Sequence, residues 1–86
     1  MSVTTDQARD IMARAIRRIV PDADLQGVPD DADLRQRFEL DSLDFLSFVE
    51  LLSKDTGVRI DEEDYTDLVT LAGFTDFLNR AGSRSA

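Results

Sequence analysis

The 86-residue chain contains no cysteine and no histidine. Without cysteine there is no disulfide framework, no thiolate nucleophile and no thiolate metal site. Without histidine the most common general base and zinc ligand is missing, so an ordinary hydrolase is nearly excluded and we expect neither catalysis nor a metal site. The apolar runs are too short to span a membrane, and the N-terminus lacks a charged and then apolar leader. We therefore expect a cytoplasmic protein that is not an enzyme.

Acidic residues outnumber basic ones, 18 to 10, and the net charge is −8. This charge argues against a nucleic-acid partner and favours partners that have basic surfaces. The acids are concentrated in residues 21–44 and 61–67. With 42% hydrophobic residues, the chain can bury one modest core. We expect a single monomeric domain, 1–86, which is ordered over about residues 4–81 and ends in a frayed tail from Gly82.

Apolar residues recur at helical spacing in four segments, and no strand pattern appears. Thr4 or Thr5 can cap the first helix, which should end at Pro21 and keep its arginines largely in solvent. A second helix runs from Ser42 to Gly57, Asp61 begins a short acidic third helix, and Thr70 can cap the fourth. The pattern predicts an all-α fold, a small four-helix bundle with three longer helices and one short third helix.

A long connection, residues 21–41, joins the first two helices. Connections between neighbouring helices are usually much shorter, so this one should be packed down by its own apolar side chains. We expect the anchors to be Leu25, Val28, Leu34 and Phe38. The last two are four residues apart and can form a helical turn capped by Asp33.

The second helix begins with Asp41 as a predicted N-cap and Ser42 as its first residue. Its core face should contain Phe45, Phe48, Val49 and Leu52, and its outward face Leu43, Ser47, Glu50 and Lys54. A large apolar residue on the outward face predicts a docking surface. A serine at a helix N-terminus lies among free backbone amides, which favours a phosphate carried on its oxygen, although such a serine is more often only part of a helix start.

The motif Asp41-Ser42-Leu43 resembles the attachment motif of the acyl carrier protein family. The resemblance extends from Phe38 through the second helix to Leu52, then to Ile60, the acidic third helix and Thr70-Leu71, so that it covers roughly residues 4 to 81. It implies an acyl-carrier-like bundle in which Ser42 carries 4'-phosphopantetheine, donated from coenzyme A by a phosphopantetheinyl transferase. The thiol of this arm would hold acyl groups as thioesters for fatty acid, lipid or polyketide-type biosynthesis.

Acyl-loading and acyl-transfer enzymes with basic docking patches are the further partners that the resemblance implies. We expect these partners to bind the start and the outward face of the second helix, at Asp41, Leu43, Asp44, Leu46, Ser47, Glu50 and Lys54.

The chain departs from the family pattern at two places. Glu39 stands where many members have glycine, and Ser47, Ser53 and Lys54 stand on a helix face that is acidic in the carriers of fatty acid synthesis. The sequence Asp-Ser-Leu-Asp-Phe-Leu is similar to that of discrete carriers in specialised pathways. Peptidyl and D-alanyl carrier proteins share the fold and the serine, and they remain alternatives.

Two further functions compete with a carrier. Residues 22–33 place oxygen-bearing side chains at five positions of a calcium-binding loop, with Gly27 at the sixth. Pro29 and the short Asp33 at its last position argue against calcium. The chain could also be an interaction module in which Ser42 is only part of a helix start and Leu43 binds a partner helix.

Overall fold

The computed structural model describes the backbone of residues 3–84 and the side chains of residues 3–81. The α-helices are α1 (Thr5–Arg17), α2 (Leu34–Arg37), α3 (Ser42–Thr56) and α4 (Leu71–Arg84), and a 3₁₀ helix (Glu62–Val69) precedes α4. No strand occurs in residues 3–84. The predicted all-α bundle, with three longer helices, a short third helix and a long first connection, is confirmed. Within the same range, no helix is both long and apolar enough to cross a membrane.

The first helix begins as the sequence predicts and ends earlier. Thr4 and Gln7 form a capping box, in which each side chain accepts a hydrogen bond from the other residue's backbone N–H. The prediction that α1 ends at Pro21 is wrong, because α1 ends at Arg17. The Arg18 N–H donates to the Ala15 carbonyl and the Ile19 N–H to the Ile16 carbonyl, each three residues back, so the last turn is tightened before the proline.

One face of each longer helix packs into a common apolar core. In α3 the buried residues are Phe45, Phe48, Val49 and Leu52, as the helical spacing predicts. The largest fully buried side chains of the other elements are those of Met12, Ile16, Leu34, Leu68, Phe74 and Phe77. No polar or charged residue is buried among the side chains that the structure describes. The hydrophobic effect is therefore the main force that holds the helices together.

The long connection is anchored as predicted, since Leu25, Val28 and Leu34 are buried and Phe38 is half-buried. It also contains an anchor that the sequence did not predict. The guanidinium of Arg9 on α1 donates to the backbone carbonyls of Leu25 and Val28 and pairs with Asp30 at 3.2 Å. The prediction that the arginines of the first helix are largely solvated is wrong for Arg9. Its guanidinium lies against the loop because it donates hydrogen bonds to backbone carbonyls there.

The arrangement of residues 22–33 does not form the calcium loop considered above. The carboxylate of Asp24 accepts the N–H of Gln26, and that of Asp33 accepts the N–H of Gln36 as the N-cap of α2. Asp30 faces Arg9, which is a cation of the protein itself. The described residues contain no group of three or more side chains that could hold a metal ion. Asp24 and Asp33 therefore serve local backbone hydrogen bonds, and Asp30 serves an ion pair within the protein.

The 3₁₀ helix and α4 are closely packed against each other. Thr70 caps α4 by accepting the N–H of Gly73 at 3.0 Å, and the Arg80 guanidinium pairs with Asp67 at 2.8 Å. The hydrogen bond that the Arg80 guanidinium donates to the Asp67 carboxylate raises the pKa of Arg80. α4 extends to Arg84 and so includes the first residues of the segment that the sequence predicts to be a frayed tail, while Ser85 and Ala86 lie outside the described residues.

Candidate functional site

A tight reversal after α2 brings the chain to the start of α3. The Leu40 N–H donates to the Arg35 carbonyl at 2.8 Å, and the Glu39 N–H donates to the Gln36 carbonyl at 3.3 Å. This is the pair of bonds that defines a Schellman motif, in which glycine usually occupies the left-handed position. Here Glu39 occupies it, with φ of 54°, and it is the one described residue other than glycine that has a positive φ. The residue that replaces the family's glycine therefore adopts a glycine-like conformation.

Asp41 is the N-cap of α3, as predicted, and its carboxylate accepts the N–H of Asp44 at 2.8 Å. Ser42 is the first residue of this 15-residue helix. Its side chain is exposed at the end where the free N–H groups and the helix dipole create a positive potential. An anionic group attached to the Ser42 oxygen would be stabilised at this position.

A cation lies beside the serine hydroxyl. The Nη2 of Arg35 donates to the Ser42 Oγ at 3.3 Å, and its Nε donates to the carbonyl of Leu40 at 3.4 Å. The guanidinium also lies over the ring of Phe45, 5.1 Å from the ring centroid. The serine lacks a histidine base because the chain has no histidine. A Ser-His pair, the usual arrangement that activates a serine as a nucleophile, is therefore not present at this site.

A groove of about 350 Å³ runs from Ser42 between α3 and the 3₁₀ helix. The rings of Phe45 and Tyr65 meet edge to face in its wall, with their centroids 5.8 Å apart. The groove is lined by Arg35, Ser42, Phe45, Leu46, Glu62, Tyr65, Thr66 and Val69. Its wall is apolar, with charged groups from α2 and the 3₁₀ helix at its edges.

The predicted docking face is open to solvent. Leu43 is 75% exposed and Leu46 is 43% exposed, and they are the exposed large hydrophobic residues among the described side chains. Asp44 is half-buried, while Asp41, Ser47, Glu50 and Lys54 are exposed. The structure therefore places these residues on the accessible side of α3, and their role in partner binding stays a prediction.

Comparison with known proteins identifies the family. Residues 6–78 match the family model described as the phosphopantetheine attachment site. The chain is also 33% identical, over 73 residues, to the protein named polyketide-8 synthase acyl carrier protein 2 of Streptomyces avermitilis. The chain belongs to the acyl carrier protein family. The alignment with this relative covers 85% of the chain and 78% of the relative. No solved structure matches this acyl carrier protein significantly.

Acyl carrier proteins hold 4'-phosphopantetheine covalently and are carriers, not enzymes. The start of α3 fits this group, because an exposed hydroxyl, a helix N-terminus and the Arg35 guanidinium converge where a phosphate would be attached. When bound, the group supplies a thiol, which the cysteine-free chain cannot supply itself. The chain contributes the attachment point, the accessible surface and the local positive potential.

Sequence analysis of this acyl carrier protein missed Arg35 and the groove wall. Arg35 lies seven residues before Ser42, and only the reversal at residues 39 and 40 brings its side chain back to the serine. Tyr65 lies on the 3₁₀ helix, and its contact with Phe45 on α3 depends on how two separate elements pack. No pattern in the amino-acid sequence predicts either contact.

Proposed function

We propose that Ser42 is the residue that carries 4'-phosphopantetheine, and that the chain is the acyl carrier of a polyketide-type pathway in the cytoplasm, acting as a monomer. The observation that carries the proposal is an exposed serine at the first position of α3, within the segment that matches the family model. The proposal thus assigns the attachment of the prosthetic group to the side-chain oxygen of Ser42.

The other serines of α3 lack these properties. Ser47 is exposed but lies in mid-helix, where the backbone N–H groups are already used within the helix. Ser53 is half-buried, and its hydroxyl donates to the carbonyl of Val58 at 2.8 Å. Among the three serines of α3, only Ser42 combines exposure with the free amides of a helix start.

Intact mass spectrometry tests the attachment residue. The chain is co-expressed with a broad-specificity phosphopantetheinyl transferase, and we expect the mass to increase by one arm. Ser42→Ala should abolish the increase, whereas Ser47→Ala, the matched control on the same helix, should keep it. Loading of the Ser42→Ala protein, or no loading of the wild type by any of several transferases, would reject Ser42.

The polyketide-type assignment is supported by the name of the relative and by the outward face of α3. That relative is named as a carrier of a polyketide synthase. Lys54 and Ser47 are exposed on the face that is acidic in carriers of fatty acid synthesis, so a basic partner patch would meet a weaker negative potential here. This difference favours partners other than the enzymes of fatty acid synthesis.

Loading kinetics test the pathway. The protein that carries the arm is offered to an acyltransferase of a polyketide-type pathway and to one of fatty acid synthesis. The kcat/KM values for acylation of the arm are compared. We expect the first to be preferred, and Lys54→Glu to shift the preference towards the second. Arg59→Glu, which changes the charge equally outside α3 at a side chain 89% exposed, is the control. A wild-type preference for the fatty-acid enzyme would contradict the assignment without affecting Ser42.

A further inference from the structure

The Arg35 guanidinium is held in one orientation by three neighbours. It donates to the carbonyl of Leu40 and to the hydroxyl of Ser42, and it lies over the Phe45 ring. Both hydrogen bonds are long, at 3.4 and 3.3 Å, so neither is a strong interaction by itself. The side chain is thus directed at the serine oxygen without forming a tight contact with it.

Arg35 is one of several cations in the described part of the chain that form no ion pair, and it is the one that contacts the serine hydroxyl. Arg9, Arg59 and Arg80 each form an ion pair with an aspartate. No carboxylate from the described part of the chain forms an ion pair with Arg35, although acids outnumber bases 18 to 10. Its positive charge faces a neutral hydroxyl instead. The Arg35 guanidinium can therefore still form an ion pair with an anionic group attached near Ser42.

We propose that Arg35 binds the phosphodiester of the arm carried on Ser42, and this rests on the assignment of Ser42 above. A phosphodiester on the Ser42 oxygen has its charged oxygens only two bonds from the atom that Arg35 already contacts. The planar guanidinium can donate two parallel hydrogen bonds to such a group, which a lysine cannot. Because Phe45 already restrains the guanidinium, less side-chain freedom is lost on binding.

Glu62 makes the proposed interaction directional. This residue lines the same groove as Arg35 on the side of the 3₁₀ helix. The negative charge of Glu62 repels a phosphodiester, while Arg35 attracts it. The phosphate is therefore held at the α2 side of the groove. Arg35 acts as a positioning residue for the arm and takes no part in transfer of the acyl group.

Phosphorus NMR of loaded proteins tests this role. Wild type, Arg35→Leu and Arg37→Leu are each loaded, and intact mass confirms one arm on each. Arg37 is the matched control because it lies on α2, is exposed and loses the same charge. For each protein, the phosphodiester resonance of the folded form is compared with that of the same protein unfolded in urea.

We expect the wild type and Arg37→Leu to share a clear displacement of the resonance on folding, and Arg35→Leu to lose most of it. Arg35→Lys, which keeps the charge but not the planar fork, should retain only part of it. About 0.5 M salt should move the wild-type resonance towards that of Arg35→Leu, because exposed charges are screened. Equal displacements in loaded wild type and loaded Arg35→Leu would overturn the role of Arg35. Failure of the wild type to load would instead overturn the assignment of Ser42.

Discussion

Glu39 has a backbone conformation that is costly for any residue with a Cβ atom. It closes the Schellman motif after α2 with φ of 54°, its side chain is exposed, and the turn directs the chain into Asp41 and Ser42. Replacing it by glycine removes the steric cost and loses no hydrogen bond of the turn, since both bonds are made by backbone groups. We therefore expect Glu39→Gly to stabilise the protein.

The magnitude follows from two opposing effects. The left-handed conformation costs a residue other than glycine about 1–2 kcal/mol. Glycine, however, makes the unfolded chain more flexible, which offsets about 0.4–1 kcal/mol of the gain. The net free energy of unfolding should rise by about 0.5–1 kcal/mol, which raises the melting temperature of a domain of this size by about 2–8 °C.

The assay is a urea melt followed by circular dichroism, with two controls. Glu39→Gln removes the same charge but keeps the Cβ atom, so it should change stability by less than about 0.5 kcal/mol. Gly57→Ala is the converse substitution, because it adds a Cβ atom at a left-handed position. Gly57 has φ of 70°, and the added Cβ would meet no atom within 4 Å. This substitution should destabilise by a similar amount. The reasoning is refuted if Glu39→Gly leaves stability unchanged while Gly57→Ala lowers it.

Four other predictions can be checked with urea melts or, for the effect of salt, with thermal melts. Leu43→Ala should cost about 1 kcal/mol or less because this side chain is 75% exposed, and Phe48→Ala about 3–5 kcal/mol because it is fully buried; similar losses would contradict an outward-facing Leu43. Gly73→Ala should destabilise by about 1–3 kcal/mol, since an added Cβ would lie 2.2 Å from a backbone oxygen of the 3₁₀ helix; a stabilised variant would show that the helices can separate. Arg9→Leu should cost about 1–3 kcal/mol because the Val28 carbonyl loses its donor and the Leu25 carbonyl keeps only the Val28 N–H; a neutral change would mean that water replaces the guanidinium. Added salt should raise the melting temperature of the wild type by screening its acidic segments, and an unchanged value would contradict this charge argument.

The order of the helices, their core faces and the start of α3 could be predicted from the sequence. These features depend on local signals, namely helical spacing, the N-cap Asp41 and the glycine that ends α3. The exposure of Leu43 followed from the same spacing. The third helix was predicted without its type, and it is a 3₁₀ helix. Tyr65, Thr66 and Val69, together with two aspartates, have low helix propensity, so this segment has little preference for a regular α-helix.

The unpredicted features all depend on contacts between segments that are distant along the chain or joined by a turn. Arg9 was expected in solvent because its position on α1 is outside the apolar stripe, and nothing in the spacing indicates loop carbonyls that need a donor. Arg35 reaches Ser42 only after the chain reverses. The reversal itself has no glycine to indicate it, since Glu39 takes the left-handed position. The sequence thus locates the serine, and the fold determines what surrounds it.

The short helix α2 connects the core of the protein to the Arg35 cation beside Ser42. A helix of four residues, such as α2, has no stability of its own in water. It must be held by its neighbours, and Leu34 at its start and Leu40 just after it are both buried. The same short segment contains Arg35 and ends in the strained turn at Glu39. Burial of the two leucines therefore offsets the cost of that turn, and it fixes the backbone from which Arg35 reaches the oxygen of Ser42.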